Sequence, residues 1–359
     1  MLFRLDIVST QTLFLLTLMR SLNKIASLVL ASTLGATGIF GAVSASSREV
    51  RVYSGRHYNT DRAIFKKFSE ISGIRVRLIE TTGLSVVERL KREGSSSKAD
   101  LILLVDAARI SNAARSGLLQ SYRSKKLDLE VPKNLRDPKG RWYSLTRRVR
   151  VMVANPSLID IGKIKTYSDL SNPSLKGKVC LRKRKSPYNQ SLVANQIVQR
   201  GEAKTKSWLK GMISNVEQAY FPGDIGITRA VAQGQCGIGI VNHYYVARML
   251  AGINGTKDKN LAKKVVVITP DPAHVNVSAG GLAKYAKNKD EAIELLEFLA
   301  STDGSSGLAG PTFEHPLKGF NEASEVKGFG KFIPDLVTID QLGRNNKKAI
   351  NLMKKAGWE

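Results

Sequence analysis

Three short segments gather tyrosine and histidine where apolar, strand-like runs come to an end. They are Ser54-Gly-Arg-His57-Tyr58-Asn-Thr-Asp61, Ser186-Pro-Tyr188-Asn-Gln-Ser-Leu192 and Gly237-Ile-Gly-Ile-Val-Asn-His243-Tyr244-Tyr245-Val-Ala-Arg248. Phenolate is a hard anionic oxygen donor, and a hard trivalent cation such as Fe³⁺ prefers it to thiolate or thioether. A free phenol titrates near ~10, so it ionises at neutral pH only with help. A highly charged cation supplies that help by stabilising the anion directly. Four phenolates around Fe³⁺ would leave one net negative charge, which a guanidinium could offset. Arg148 and Arg248 stand in the sequence where they could do so, the latter one helical turn beyond Tyr244.

Each piece taken alone also has a plainer reading. A Tyr-Tyr pair beside an apolar strand is what core packing looks like, and a lone His57 or His243 is more often hydrogen-bonded than a metal ligand. Tyr53, Tyr220 and Tyr285 read as packing residues. The glycines of Gly234-Gln-Cys-Gly237-Ile-Gly239 lack the lysine and helix of a phosphate cradle. No nucleophile elbow, HExxH helix or paired-carboxylate arrangement is present, so the sequence predicts binding without catalysis.

In open α/β sheets the loops beyond strand carboxyl ends line the ligand crevice, so strands must aim these segments. Strand and helix signals alternate, the pattern of an α/β fold. Residues 49–54, 74–79 and 100–105 read as strands, with helices over 61–71, 84–93 and 107–117. A strand over 149–154 leads to the turn at Asn155-Pro156, and the theme then repeats. Strands are expected at 178–181, 237–241 and 265–268, and helices near 191–199, 203–215, 291–300 and 341–356. Two α/β units joined by strands predict two lobes hinged over a cleft, with 149–154 and 265–268 as hinge strands. Residues 46–148 with about 269–310 would form the first lobe, and 149–268 with about 311–359 the second.

A chain of 359 residues with 42% hydrophobic content suits two such units. Residues 1–45 read as a targeting segment: a basic stretch from Met19 to Lys24, an apolar run over 25–41, and the small-residue cleavage pattern Val43-Ser44-Ala45. Cleavage is expected after Ala45, with translation starting at Met19; an uncleaved anchor is the competing reading. Removing this segment takes away three bases (Arg4, Arg20, Lys24) and one acid (Asp6), which lowers the formal charge from +26 to +24. Such a charge raises nucleic acid as a partner. The bases are scattered, however, the densest run is only Arg182-Lys183-Arg184-Lys185, and no nucleic-acid motif accompanies them. Cys180 and Cys236 are the only cysteines. In an oxidising compartment two cysteines are more often a disulfide than a metal pair, with two free thiols as the alternative.

Together these segments resemble the ferric-iron-binding proteins of bacterial ABC importers, most closely the cyanobacterial ferric-binding branch. The likeness includes Tyr53-Ser-Gly-Arg-His57-Tyr58-Asn-Thr-Asp61, Lys176-Gly-Lys-Val-Cys180, Pro187-Tyr188-Asn-Gln-Ser-Leu-Val-Ala194, Gly234-Gln-Cys-Gly, Asn242-His-Tyr244-Tyr245 and His274-Val-Asn-Val-Ser278, in order. The resemblance implies the class II, two-lobed periplasmic binding protein fold. It also implies that Tyr58, Tyr188, Tyr244 and Tyr245 bind Fe³⁺, with His57 touching the ion or standing just behind a ligand. Arg148 and Arg248 would balance charge, and water or a synergistic anion such as carbonate would complete the set. The implied protein is a periplasmic monomer that serves an ABC permease at the inner membrane. Lys183-Arg-Lys185 departs from the small polar residues common in relatives, which puts the synergistic anion in question. If Cys180 and Cys236 lie on neighbouring strands, a disulfide would tie the Tyr188 and Tyr244 segments together. The competing functions are a binding protein for an anion or a polyamine and an intracellular iron-sequestering protein. The first would need helix N-termini and hydroxyls, or acidic and aromatic residues. The second is disfavoured by the signal-like N-terminus.

Overall fold

The computed structural model describes residues 48–56 and 59–359; the expected targeting segment and both His57 and Tyr58 lie outside the described residues. Nine strands form one continuous pairing: β1 (Glu49–Ser54), β2 (Arg75–Glu80), β3 (Leu101–Val105), β4 (Tyr143–Ala154), β5 (Val179–Cys180), β6 (Ile238–Asn242), β7 (Val266–Ile268), β8 (Val275–Leu282) and β9 (His315–Pro316). Their spatial order is β2-β1-β3-β8-β4-β6-β5, with β7 and β9 also on β4. β1 runs parallel to β2 and β3, and β8 lies antiparallel between β3 and β4. β3, Leu-Ile-Leu-Leu-Val, is buried along its whole length, as expected of a strand covered on both faces.

β4 joins the two parts of the sheet. Tyr143 to Val149 pair with β8, and Thr146 and Arg147 also pair with β9. Arg150 to Ala154 pair instead with β6, and Met152 to Ala154 with β7. The strand expected over 149–154 is therefore only the second half of a twelve-residue strand. Its first half was masked by Ser144, Thr146, Arg147 and Arg148, polar residues that break an apolar pattern although all but Arg147 are buried. β7 stays wholly beside the later half of β4, and the chain passes between the halves in residues 269–274, after β7.

β8 had no strand signal, because Val275–Leu282 is rich in small residues. Packing explains them: a Cβ on Gly281 would lie 2.3 Å from the Arg141 carbonyl oxygen, and one on Gly280 2.9 Å from the Leu103 side chain. The two helices expected over 191–199 and 203–215 occur as one helical stretch, Pro187–Ser214, broken at Gly201 (φ 80°). β6 runs straight into the helix His243–Leu250, so Tyr244 and Tyr245 sit in its first turn with Asn242 as N-cap. Tyr285, read as packing, is 47% exposed. Among the described residues no helix is long and apolar enough to cross a membrane.

Cys180 and Cys236 form a disulfide, with Cα atoms 6.0 Å apart. Cys180 lies in β5, which pairs with β6, and Cys236 stands two residues before β6, so the bridge ties β5 to the approach of its neighbour. It closes a loop of 56 residues' separation, for which the loss of unfolded-chain entropy is worth about 2–4 kcal/mol. Replacing both cysteines with alanine should lower the urea midpoint accordingly; an unchanged midpoint would deny the bridge a stabilising role.

Candidate functional site

Strand ends bring the second and third tyrosine segments together. Tyr188 is the second residue of the helix Pro187–Ser214, and Tyr245 lies in the first turn of His243–Leu250. Both line one cavity of about 410 Å³, together with Asn59, Thr60, Arg109 and Arg248. Tyr244 is buried, and its ring centroid lies 4.3 Å from that of Tyr245. His57 and Tyr58 fall outside the described residues, but Asn59 and Thr60, which follow them directly, reach this cavity.

Burial raises the Tyr245 phenol well above its ordinary range, and negative charge at Tyr188 and Asp224 raises it further, while a hydrogen bond from Tyr244 and the charge of Arg182 work the other way. Tyr245 is therefore protonated near neutral pH, and its anion would need a nearby cation to stabilise it. That makes the cavity poor at holding separated charge on its own and well suited to an ion that brings its own field. Among the described residues no three His, Cys, Asp or Glu side chains gather as a metal site.

The two arginines singled out from the sequence occupy different places. Arg248 lines the cavity. Arg148 is fully buried, 5.8 Å from the Tyr188 ring centroid; it donates to Ser278 Oγ at 3.0 Å and lies 3.7 Å from Glu314. Glu314 also accepts from Arg56 (3.2 Å) and Thr146 (2.6 Å), and Arg56 pairs with Asp61 at 2.7 Å. Burial pushes the Glu314 carboxyl up, but Arg56 and Arg148 outweigh it and hold the group below its usual range. Much of the Arg148 charge is thus already answered by Glu314.

Sequence reasoning missed the polar frame behind the tyrosines. Buried Asp224 accepts from Arg150 (2.8 Å), Arg182 (3.1 Å) and the Asn242 backbone N–H (2.8 Å). Asn189 accepts from Arg150 at 3.0 Å and donates to the Arg182 carbonyl at 2.9 Å. One network therefore fixes both the Tyr188 helix start and the N-cap of the Tyr244–Tyr245 helix. Arg182 also lies 5.4 Å over the Tyr188 ring. Its place six residues before Tyr188, in the densest basic run, was the available signal; Asp224 had none. Asp106, between β3 and the helix Ala107–Arg115, holds φ at 91°, a conformation that costs on the order of 1–3 kcal/mol. Hydrogen bonds to Asn276 and Ala108, both 2.8 Å, keep it there beside the cavity residues Val105 and Arg109.

His243 is not exposed at the cavity. It is buried, its Nδ1 accepts from Val149 N–H at 3.2 Å, and its ring stacks on His315 with centroids 4.4 Å apart. Burial lowers the His243 imidazole to about 4 and the His315 imidazole to about 2. Both stay neutral in the fold, whereas the unfolded chain takes up protons below ~6.5. The unfolded state then binds more protons, so stability falls as pH drops from about 6.5 towards 4. A Tm profile should decline across that window and flatten in part for His315→Gln; a wild-type profile flat over that range would contradict the buried neutral pair.

A family model described as bacterial extracellular solute-binding protein matches residues 96–328 of the chain. The chain is 37% identical over 317 residues to iron uptake protein A1 of a Synechocystis species, spanning 87% of this chain and 88% of that protein. It is 27% identical to the Fe(3+)-binding periplasmic protein of Serratia marcescens, spanning 89% and 93%. A solved Trichodesmium structure, IdiA (FutA) in complex with iron and citrate, matches with a TM-score of 0.84 at 36% identity, over 87% of this chain and 100% of that one. Apo FutA2 from Synechocystis matches with a TM-score of 0.83 at 34% identity, again over 87% and 100%. These neighbours have the two-lobed binding protein fold, and this chain shares it, as the sequence led us to expect.

Proposed function

The chain belongs to the bacterial extracellular solute-binding protein family, and from that premise we propose that it is the substrate-binding subunit of an ABC importer for Fe³⁺. The observation that carries the proposal is one cavity lined by Tyr188 and Tyr245, with the Tyr244 ring packed against that of Tyr245 and with Arg109 and Arg248 at its wall. Tyr58, Tyr188, Tyr244 and Tyr245 are the ligands on this reading. His57 touches the ion or stands behind a ligand, and Arg148 and Arg248 temper the negative charge of the phenolates. Water or a synergistic anion completes the coordination. The protein binds without catalysing, is exported to the periplasm, and as a monomer hands its ion to an inner-membrane permease.

The sheet supports a hinge between the lobes. We divide the lobes between Val149 and Arg150 of β4 and within 269–274, where strand pairing changes partner. The first lobe then holds 46–149, the later stretch from about 275 and β9, which pairs with Thr146 and Arg147. Ligands drawn from both lobes would couple capture to closure.

The test is direct. Purified protein mixed with ferric citrate and desalted should show a visible tyrosinate-to-iron charge-transfer band. Colourless protein without retained iron would refute the proposal. Acidification should release the ion, because a protonated phenol is a poor ligand.

A further inference from the structure

The basic run Arg182 to Lys185 is not absorbed by the ferric site. Arg182 serves the frame behind Tyr188, but Lys185 points elsewhere. It lines a second groove of about 760 Å³, whose other basic members are Arg109, Arg115, Arg344 and Lys347. Among the described residues no acidic side chain lines this groove. The helices Ala107–Arg115, Pro187–Ser214 (at its start) and Ile339–Lys355 wall it, with Leu84 of Gly83–Glu93 also lining it, and Ile339–Lys355 packs against the first two.

Some of this charge is already engaged. Arg115 donates to Ser111 Oγ (2.6 Å) and the Gly343 carbonyl (3.2 Å), and Arg344 pairs with Asp340 at 2.6 Å. Lys185 and Lys347 form no ion pair among the described residues and remain available. Ser186, between the lining residues Lys185 and Pro187, is buried; its hydroxyl has no hydrogen-bond partner and caps no amide of the helix it opens. Arg109 lines both this groove and the tyrosine cavity, so the two adjoin.

We infer that this groove is an anion site separate from the tyrosine cavity, and that it binds a small polycarboxylate. The groove is concave and of a size suited to small ligands. Its cations are spread over two helices, Ala107–Arg115 and Ile339–Lys355, and the turn at Lys185, an arrangement that answers several carboxylates at once and leaves a single phosphate in contact with few of them. The choice of a polycarboxylate rests on the ferric reading above, since Fe³⁺ stays soluble near neutral pH mainly as complexes with such anions. A polycarboxylate held beside the tyrosines would keep an iron chelator, or its released carrier, next to the cavity that takes the ion.

The test titrates the iron-free full chain with tricarballylate, a tricarboxylate that lacks the hydroxyl citrate uses to grip iron, and follows heat by calorimetry. Binding at one site is expected, weakened about tenfold or more in the Lys185→Ala/Lys347→Ala double variant and unchanged in Tyr188→Phe. Both lysines are exposed, so the double variant should keep the wild-type Tm. The absence of tricarballylate binding would overturn the inference, and so would undiminished binding by the double variant. Loss of binding in Tyr188→Phe would place the anion in the tyrosine cavity instead. Inorganic phosphate binding as tightly as tricarballylate would refute the polycarboxylate assignment. The ferric charge-transfer band is read separately, so a missing band with intact groove binding would fail the iron proposal and leave the groove standing.

Discussion

Tyr188→Phe should weaken the ferric charge-transfer band and lower Fe³⁺ affinity by more than about 100-fold, since changes to groups merely behind a metal ligand already cost ~10–100-fold. Tyr245→Phe should do the same. The substitution removes one oxygen and leaves the ring, so the packing that places Arg182 at 5.4 Å and Arg148 at 5.8 Å over the Tyr188 ring survives. Affinity is best read by competition against citrate, and the band by visible absorption of the same samples. Two controls separate ligation from general tyrosine loss. Tyr285→Phe alters an exposed side chain, and Tyr53→Phe removes a buried hydroxyl bonded to Glu93 at 3.1 Å on the far side of β1 and the helix Gly83–Glu93. Both controls should keep the band. If Tyr188→Phe and Tyr245→Phe keep it at full strength too, the phenols named here are not the donors.

Asp224→Ala should cost about 3–5 kcal/mol of stability, the penalty for leaving a buried charge without its partner. Arg150 is 1% exposed, and Asp224 is its one carboxylate partner, at 2.8 Å. The same substitution also releases Arg182 and the Asn242 N–H. For a chain of this size the fall in Tm should be on the order of 10 °C, measured by calorimetry on iron-free protein. Iron affinity should fall as well, because both tyrosine-bearing helix starts lose their common anchor. Asp224→Asn keeps an acceptor for Asn242 and should fall between wild type and alanine. The double variant Asp224→Ala/Arg150→Met removes both charges and should recover part of the loss; no recovery would show that Asp224 acts through packing rather than charge.

The local pattern of the chain was enough for much of the frame. β1 and β3 have the expected spans to within a residue, because β-branched and apolar runs bounded by turn residues have few other ways to satisfy their backbone. Pairing between strands was less legible. β8 joins β3 to β4 through glycines and small polar residues whose value lies in what they allow neighbours to do, such as the approach of the Arg141 carbonyl to Gly281. No periodicity records that. β4 likewise hides its first half behind polar residues such as Thr146 and Arg148, which meet their partner only once Glu314, more than 160 residues away, folds against them.

The tyrosines show the same division. Their types, their places after strands and the oxygen chemistry they offer a hard trivalent ion were all present in the amino-acid order, as was the resemblance that made iron the expected cargo. Tertiary structure alone decided that Tyr188 and Tyr245 face one cavity, that Tyr244 packs against Tyr245 inside a helical first turn, and that Asp224 holds both segments. The physical reason is distance along the chain. Side-chain chemistry and helix or strand preference are local properties, whereas a metal site and its counter-charges depend on contacts between segments that the sequence keeps tens to hundreds of residues apart.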